Sequence, residues 1–231
     1  MSDHFPTKTT AGDVAHQIGR AIAGLAPGGA DLLNNIIIPP LQRRREAFIN
    51  GLSERLIKLE HEDRINFAEL GNNEEFVSTV MHASHVAIQT HRLEKIDALR
   101  NAVLNTALGH APEDSKREMF LGFVDAFTVI HLQTLGVLKE KYDDQPEDYD
   151  GPSKFKSIGI TPFSLARKVR LVRPELVDDY KLVILAVEDL CRRKLLYQSQ
   201  GNESLLPQGV SLVTDLGQDF LKFIAEPQEN R

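Results

Sequence analysis

His82 and His85 stand three positions apart, a spacing that puts two imidazoles on one side of a helix, where they could share a metal ion. A carboxylate-rich site in a helical bundle needs Glu-x-x-His pairs, so that a carboxylate and an imidazole project inward together. Position 79 is Thr79, and position 128, three before His131, is Thr128, so neither pair exists. His61-Glu62-Asp63-Arg64-Ile65 begins like a zinc-protease helix but carries Ile65 where the second imidazole belongs. The histidines are therefore read as polar-face or hydrogen-bonded core residues, and no metal or other cofactor is expected.

Nucleophile chemistry fares no better. The one cysteine, Cys191, rules out an internal disulfide and any zinc site needing two thiolates. It sits in the helical phrase Leu185-Ala186-Val187-Glu188-Asp189-Leu190-Cys191, which reads as a buried, inert thiol. No Gly-x-Ser-x-Gly elbow, phosphate-cradling P-loop or Gly-x-Gly-x-x-Gly turn occurs. The Gly28-Gly29 pair follows a helical pattern and not a strand. No catalytic residue is assigned, no small-molecule substrate is evident, and the expectation is a protein that is not an enzyme.

Two polar groups remain. Arg43-Arg44-Arg45 lies where a helix is expected to begin, and each cation near a first turn opposes the helix dipole by about 0.3–1 kcal/mol. Either the helix runs through the preceding prolines or the arginines have anionic partners. As a site the triplet would take phosphate, a lipid headgroup or an acidic partner; otherwise it is solvated or paired with the acidic stretch Asp143–Asp150. Asn101 and Asn105, at i and i+4 beside Arg100, read as hydrogen bonders between helices.

The elements that must carry these residues are helical. Val14, Ile18, Ile22 and Leu25 mark one stripe, closed by Pro27-Gly28-Gly29. Leu32, Leu33 and Ile36-Ile37-Ile38 lead into Pro39-Pro40, and a new helix is expected near Pro40 with Phe48, Leu52, Leu56 and Leu59 inward. Asn72 with Glu75 resembles a capping box for a long helix or close pair over 72–108, kinked near His91, with Leu93, Ile96, Leu99 and Val103 on the later stripe. Gly109-His110-Ala111-Pro112 stops it. Phe120, Phe123, Val124, Phe127, Ile130 and Leu138 then line one helix to about residue 141.

Residues 142–153 form an acidic linker containing Pro and Gly, beyond which the pattern changes. Thr161-Pro162 opens a short helix, Pro174-Glu175 a longer one, Leu195-Leu196-Tyr197 and Val210–Val213 read as strands around Gln200-Gly201-Asn202, and Thr214-Asp215 caps a final helix. The expected fold is mainly α: a frayed stretch 1–10, a helical bundle 11–141, the linker, and a small winged-helix-like domain 154–225 with a two-stranded hairpin, followed by a disordered tail 226–231.

Charge narrows the partners. Residues 1–150 carry 15 Lys and Arg against 23 Asp and Glu, whereas residues 151–231 carry 12 against 10. An acidic body repels DNA and anionic membranes. In the tail, Arg167, Lys168, Arg170 and Arg173 are the candidate DNA contacts, but the next helix opens with Glu175, Asp178 and Asp179, and no Lys or Arg occurs from Leu195 through Leu221. The most membrane-like stretch, Val14–Ile38, is interrupted by His16, Arg20 and Asp31 and falls short of the ~20 apolar residues a span needs, leaving conditional surface contact. Met1-Ser2-Asp3-His4-Phe5-Pro6 lacks the features of a signal peptide, so a cytoplasmic location is expected.

Three phrases carry a resemblance: Ile38-Pro39-Pro40, the run Glu75-Phe76 to Asn101-Ala102-Val103-Leu104-Asn105, and Leu190…Leu195-Leu196…Val213-Thr214-Asp215-Leu216-Gly217…Phe220. In this order they resemble the layout of bacterial abortive-infection alpha-type proteins, a group associated with phage defence, over about two-thirds of the chain. The last phrase looks like the Thr-acid-x-Gly close of many winged-helix modules. The resemblance implies a non-enzymatic interaction or effector protein that binds a protein partner or itself. A DNA-binding regulator using the tail is the alternative.

Overall fold

Pro39 and Pro40 lie inside a helix. The computed structural model describes residues 29–139, 161–175, 180–197 and 211–228, the first nine as backbone only. In it α1 runs unbroken over Gly29–His61, through both prolines. This corrects the expected start near Pro40. The fixed φ of proline suits a helix, and the cost is the two N–H donors it removes, about 3 kcal/mol each in a helix interior. The three arginines consequently sit mid-helix, away from the N-terminal dipole that a start at Pro40 would have set against them.

Eight further helices follow among the described residues: α2 Phe67–Leu70, α3 Glu74–Gln89, α4 Leu93–Ala107, α5 Asp114–Ala126, α6 Val129–Leu138, α7 Pro162–Val172, α8 Tyr180–Arg192 and α9 Asp215–Ile224. The mainly helical expectation holds. Helix α3 starts one residue later than the capping signal indicated: Asn73 Oδ1 accepts from Phe76 N–H at 3.1 Å, while Asn72 donates to the Ala68 carbonyl at 3.1 Å. The bend expected near His91 is a full break at residues 90–92, so 72–108 is a close helix pair.

The single helix expected through residue 141 is also two. Phe127 is extended and Thr128 caps a new helix, so α5 and α6 meet at 117°. Taken together this bent pair has the length and apolar character of a broken membrane span, but Phe120, Leu121, Val124, Leu135 and Leu138 are spent in the core. No single helix among the described residues is long and apolar enough to cross a membrane.

Most of the inward stripes read from sequence are buried. Phe48, Leu52, Leu56 and Leu59 of α1 meet Ala83 and Ala87 of α3 and Leu99 and Val103 of α4 in one core. Leu93 is a correction, since it stands 69 % exposed at the start of α4. Where α1 crosses α4, Arg100 donates to the Ala47 carbonyl at 2.9 Å and lies over the Phe48 ring. Gly51 makes the crossing close: a Cβ there would stand 2.7 Å from the guanidinium.

The helices beyond the expected linker join the same core. Helix α6 packs on α7 and α8, and α9 packs on α4. Phe220 of α9 meets Phe120, Phe123 and Phe127 with ring centroids 5.4–5.9 Å apart, largely edge to face, and Phe223 meets Phe120 at 6.0 Å. Each fully buried Phe contributes about 1.5–3 kcal/mol. Asn101 and Asn105, read as interhelical bonders, reach from α4 to the last carbonyls of α9. Beyond α9, Glu226 pairs with Arg55 at 2.9 Å and the Gln228 carbonyl accepts from Arg64 at 3.0 Å.

The winged-helix hairpin requires correction. Among the described residues its two strands reduce to one antiparallel bridge between Leu196 and Val213. The chain leaves α8 through Lys194 at φ 63° and enters α9 at Thr214, which bounds the pairing on the helix side of the bridge. Thr214 Oγ1 donates to the Lys194 carbonyl at 2.6 Å and accepts from Gly217 N–H at 3.1 Å. Gly217 is obligatory, because a Cβ there would collide with the Leu195 carbonyl and with Val213. The Thr-acid-x-Gly phrase is thus a packing device. Pro174 and Glu175, the expected start of the longer helix, form a helical turn, and the described part of that helix is α8 from Tyr180. The 1–10 stretch, the Val14–Leu25 stripe, the 142–153 linker, residues 176–179 and the Gln200-Gly201-Asn202 turn lie outside the described residues.

Candidate functional site

Helix α7 owes its start to reciprocal capping: Thr161 Oγ1 accepts from Ser164 N–H at 3.1 Å, and Ser164 Oγ accepts from Thr161 N–H at 3.0 Å. Pro162 fills the first turn, where its missing donor costs nothing. Leu165, Ala166 and Val169 point into the core. Phe163, Arg167, Arg170 and Leu171, at i, i+4, i+7 and i+8, form the outer face. Phe163 is 62 % and Leu171 74 % exposed.

Helix α8 lies against α7 and buries Val183, Ala186, Val187, Leu190 and Cys191. Lys181, Leu182, Leu185 and Glu188 face outward, with Leu185 57 % exposed. Tyr180 joins the two outer faces: Phe163 meets its ring edge-on at 6.1 Å and the Arg170 guanidinium lies over it at 5.7 Å. Arg173 binds Glu175, which holds that carboxyl below its ordinary range. Of the four candidate DNA contacts, Arg167 and Arg170 are therefore displayed outward, Arg173 is tied to a carboxylate, and Lys168 is half-buried.

The other sequence-derived candidates do not converge. Consecutive helical positions fan about 100° apart, so Arg43, Arg44 and Arg45 point in different directions. All three are exposed; Arg44 donates to the Ile88 carbonyl at 3.2 Å, and Arg43 to the Pro39 carbonyl at 3.4 Å. His82 is half-buried and His85 exposed, and among the described residues no three His, Cys, Asp or Glu side chains gather into a set able to hold a metal. Cys191 is buried, and burial pushes its thiol up to about 11. A cleft of about 480 Å³ between α1 and α2 is lined by Glu60, Asp63, Arg64, Ile65, Asn66 and Glu69. It brings together no nucleophile and base.

His131 gains partners that its sequence neighbours did not reveal. Thr128 N–H donates to its Nδ1 at 3.3 Å, and Thr128 Oγ1 lies 2.8 Å from the same nitrogen. The acceptor role of Nδ1 places the proton on Nε2, which faces Asp189 Oδ2 at 3.6 Å. Asp189 also accepts from Arg193 Nε at 2.9 Å, and that guanidinium covers the Phe123 and Phe127 rings. Burial lowers the His131 pKa; Asp189 opposes the shift, while Arg193 and Lys95 add to it. A hydroxyl, imidazole and carboxylate in sequence have the form of a hydrolytic relay. Here the hydroxyl caps α6, the ring stacks on Phe127 at 5.0 Å, and the carboxylate anchors α8, so the relay fastens helices together. The Thr-x-x-His spacing could have revealed the cap, but nothing local pointed to Asp189.

No protein-family model matches this chain, and comparisons with curated proteins and with solved structures found no match.

Proposed function

We propose that the chain is a non-enzymatic interaction protein that docks an acidic, partly apolar protein surface on the outer face of α7 and α8. The observation that carries this reading is the exposure of Phe163, Leu171 and Leu185 on helices whose inner faces are already filled. Large apolar side chains beside Arg167 and Arg170 suit a partner that covers hydrocarbon and supplies carboxylates. The resemblance to abortive-infection alpha-type proteins supports placing this docking role in a bacterial defence effector. The test is affinity capture with wild type and a Leu171→Asp/Leu185→Asp double variant, both confirmed folded by circular dichroism. Loss of specific partners from the variant is expected, and an identical partner set would overturn the reading.

A DNA-binding regulator is the second reading, favoured by the outward Arg167 and Arg170 with Lys181 and Arg192 on α8. Exposed leucines on α8 contribute nothing to phosphate contact, so the protein-docking reading ranks first. Titration of duplex DNA at several salt concentrations separates the two, because each phosphate contact steepens the salt dependence.

A further inference from the structure

The geometry points to a second copy of this chain as the occupant of the α7–α8 face, joined head to tail. The inference rests on the docking-surface reading above and names its partner. The first turns of α3 and α5 stand side by side because Arg117, 3 % exposed, bridges them, binding Glu75 at 3.3 Å and Asp114. Around this strut Glu74, Glu113, Asp114 and Glu118 are exposed. Lys116, the nearest other cation in sequence, is engaged by Asp219 at 3.1 Å. Along the same two helices run apolar side chains that the core does not use: Met81 is 70 % exposed, Val77 41 % and Met119 38 %.

One face is therefore hydrocarbon edged with carboxylates, and the other, on α7 and α8, is hydrocarbon edged with Arg167, Arg170 and Lys181 against one outward carboxylate, Glu188. Their chemistries are complementary and each repels its own kind. Like-to-like pairing would set arginines against arginines, so a two-fold dimer through either face is disfavoured. Two different faces on one chain produce a heterologous contact, which propagates into a ring or an open string of subunits. The division of charge along the sequence, acidic to residue 150 and slightly basic beyond it, follows the same polarity.

The test uses sedimentation velocity on the full chain over a wide concentration range, at low and high salt. Wild type is expected to form species that grow with concentration and shrink as salt rises. Leu171→Asp spoils one face and Met81→Asp the other; both side chains are exposed, and thermal melts check that each variant folds. Each variant alone is expected to be monomeric. Mixed in equal amounts, they retain one intact face each and are expected to stop at a one-to-one heterodimer. Wild type that stays monomeric, or a mixture that remains monomeric, overturns the inference. A wild type that stays monomeric yet loses its captured partners on Leu171→Asp/Leu185→Asp substitution sinks self-assembly while leaving the docking surface standing. Capture insensitive to that substitution sinks the docking surface.

Discussion

Asn105 Nδ2 donates to the carbonyl oxygen of Phe223 at 2.8 Å, across 118 positions of sequence. The same nitrogen lies 2.9 Å from the Ala225 carbonyl and 3.3 Å from that of Lys222, and Asn101 Nδ2 reaches the Ile224 carbonyl at 3.0 Å. A helix ends with carbonyls that no residue of its own can satisfy. At α9 a different helix supplies the donors, and the buried end of α9 is thereby both capped and fastened to α4.

Replacing Asn105 by Ala is expected to cost about 1–3 kcal/mol, the penalty for stranding buried acceptors. At this chain length each kcal/mol lowers Tm by about 2–4 °C. Asn105→Asp is expected to cost more, since it loses the donor and puts a carboxylate against carbonyl oxygens at the negative end of a helix. Differential scanning calorimetry of the two variants checks the order; equal stability to wild type would refute it.

Two glycines give opposite expectations. Gly217→Ala drives a methyl into the Leu195 carbonyl, so a marked loss of stability is expected. Gly136 lies within α6 with nothing within 4 Å of a Cβ, so Gly136→Ala is expected to stabilise by about 0.5–1 kcal/mol through helix propensity. Urea denaturation midpoints of both variants decide the matter.

His131 sets a pH dependence. Burial holds its folded pKa below the ordinary 6.5. The unfolded chain binds the proton first as pH falls, so this contribution to stability is full above 6.5 and declines as pH drops from there towards the folded pKa. Urea titrations from neutral to mildly acidic pH are expected to show the loss in wild type and a shallower one in His131→Gln. Parallel slopes would refute it.

Cys191 is expected to resist alkylation. With the thiol pushed up to about 11, little thiolate exists at neutral pH, and the surrounding helices bar access. Labelling by iodoacetamide, followed by mass spectrometry, is expected to be slow in buffer and fast in urea; equal rates would refute the burial.

Where local rules act alone, the sequence was legible. Phe48, Leu52, Leu56 and Leu59 follow one helical stripe, and all are buried. Thr161 before Pro162, and Thr214 before Asp215, mark helix starts because their hydroxyls satisfy N–H groups that lie within a few residues. Pro39-Pro40 reads as a helix start because proline is favoured in a first turn and costly in an interior, yet α1 continues through both. The break at Phe127 left no Gly or Pro to announce it; tertiary packing turns the chain there. The cations on the outer face of α7 are legible in the sequence, but the exposure of Phe163 and Leu171 depends on which side α6 and α8 cover. Asp189 reaches His131 only through the packing of α8 on α6.

The aromatic cluster between α5 and α9 has a consequence for the chain as it is made. Translation proceeds at roughly 5–20 residues per second, so the ribosome needs on the order of ten seconds to travel from Asn105 to its partner Phe223. In the later part of that interval Phe120, Phe123 and Phe127 have been made but the Phe220 ring that covers them has not. Nascent chains are therefore expected to show these rings to solvent until α9 emerges, and a product stopped just ahead of Thr214 is expected to be cut readily by proteases.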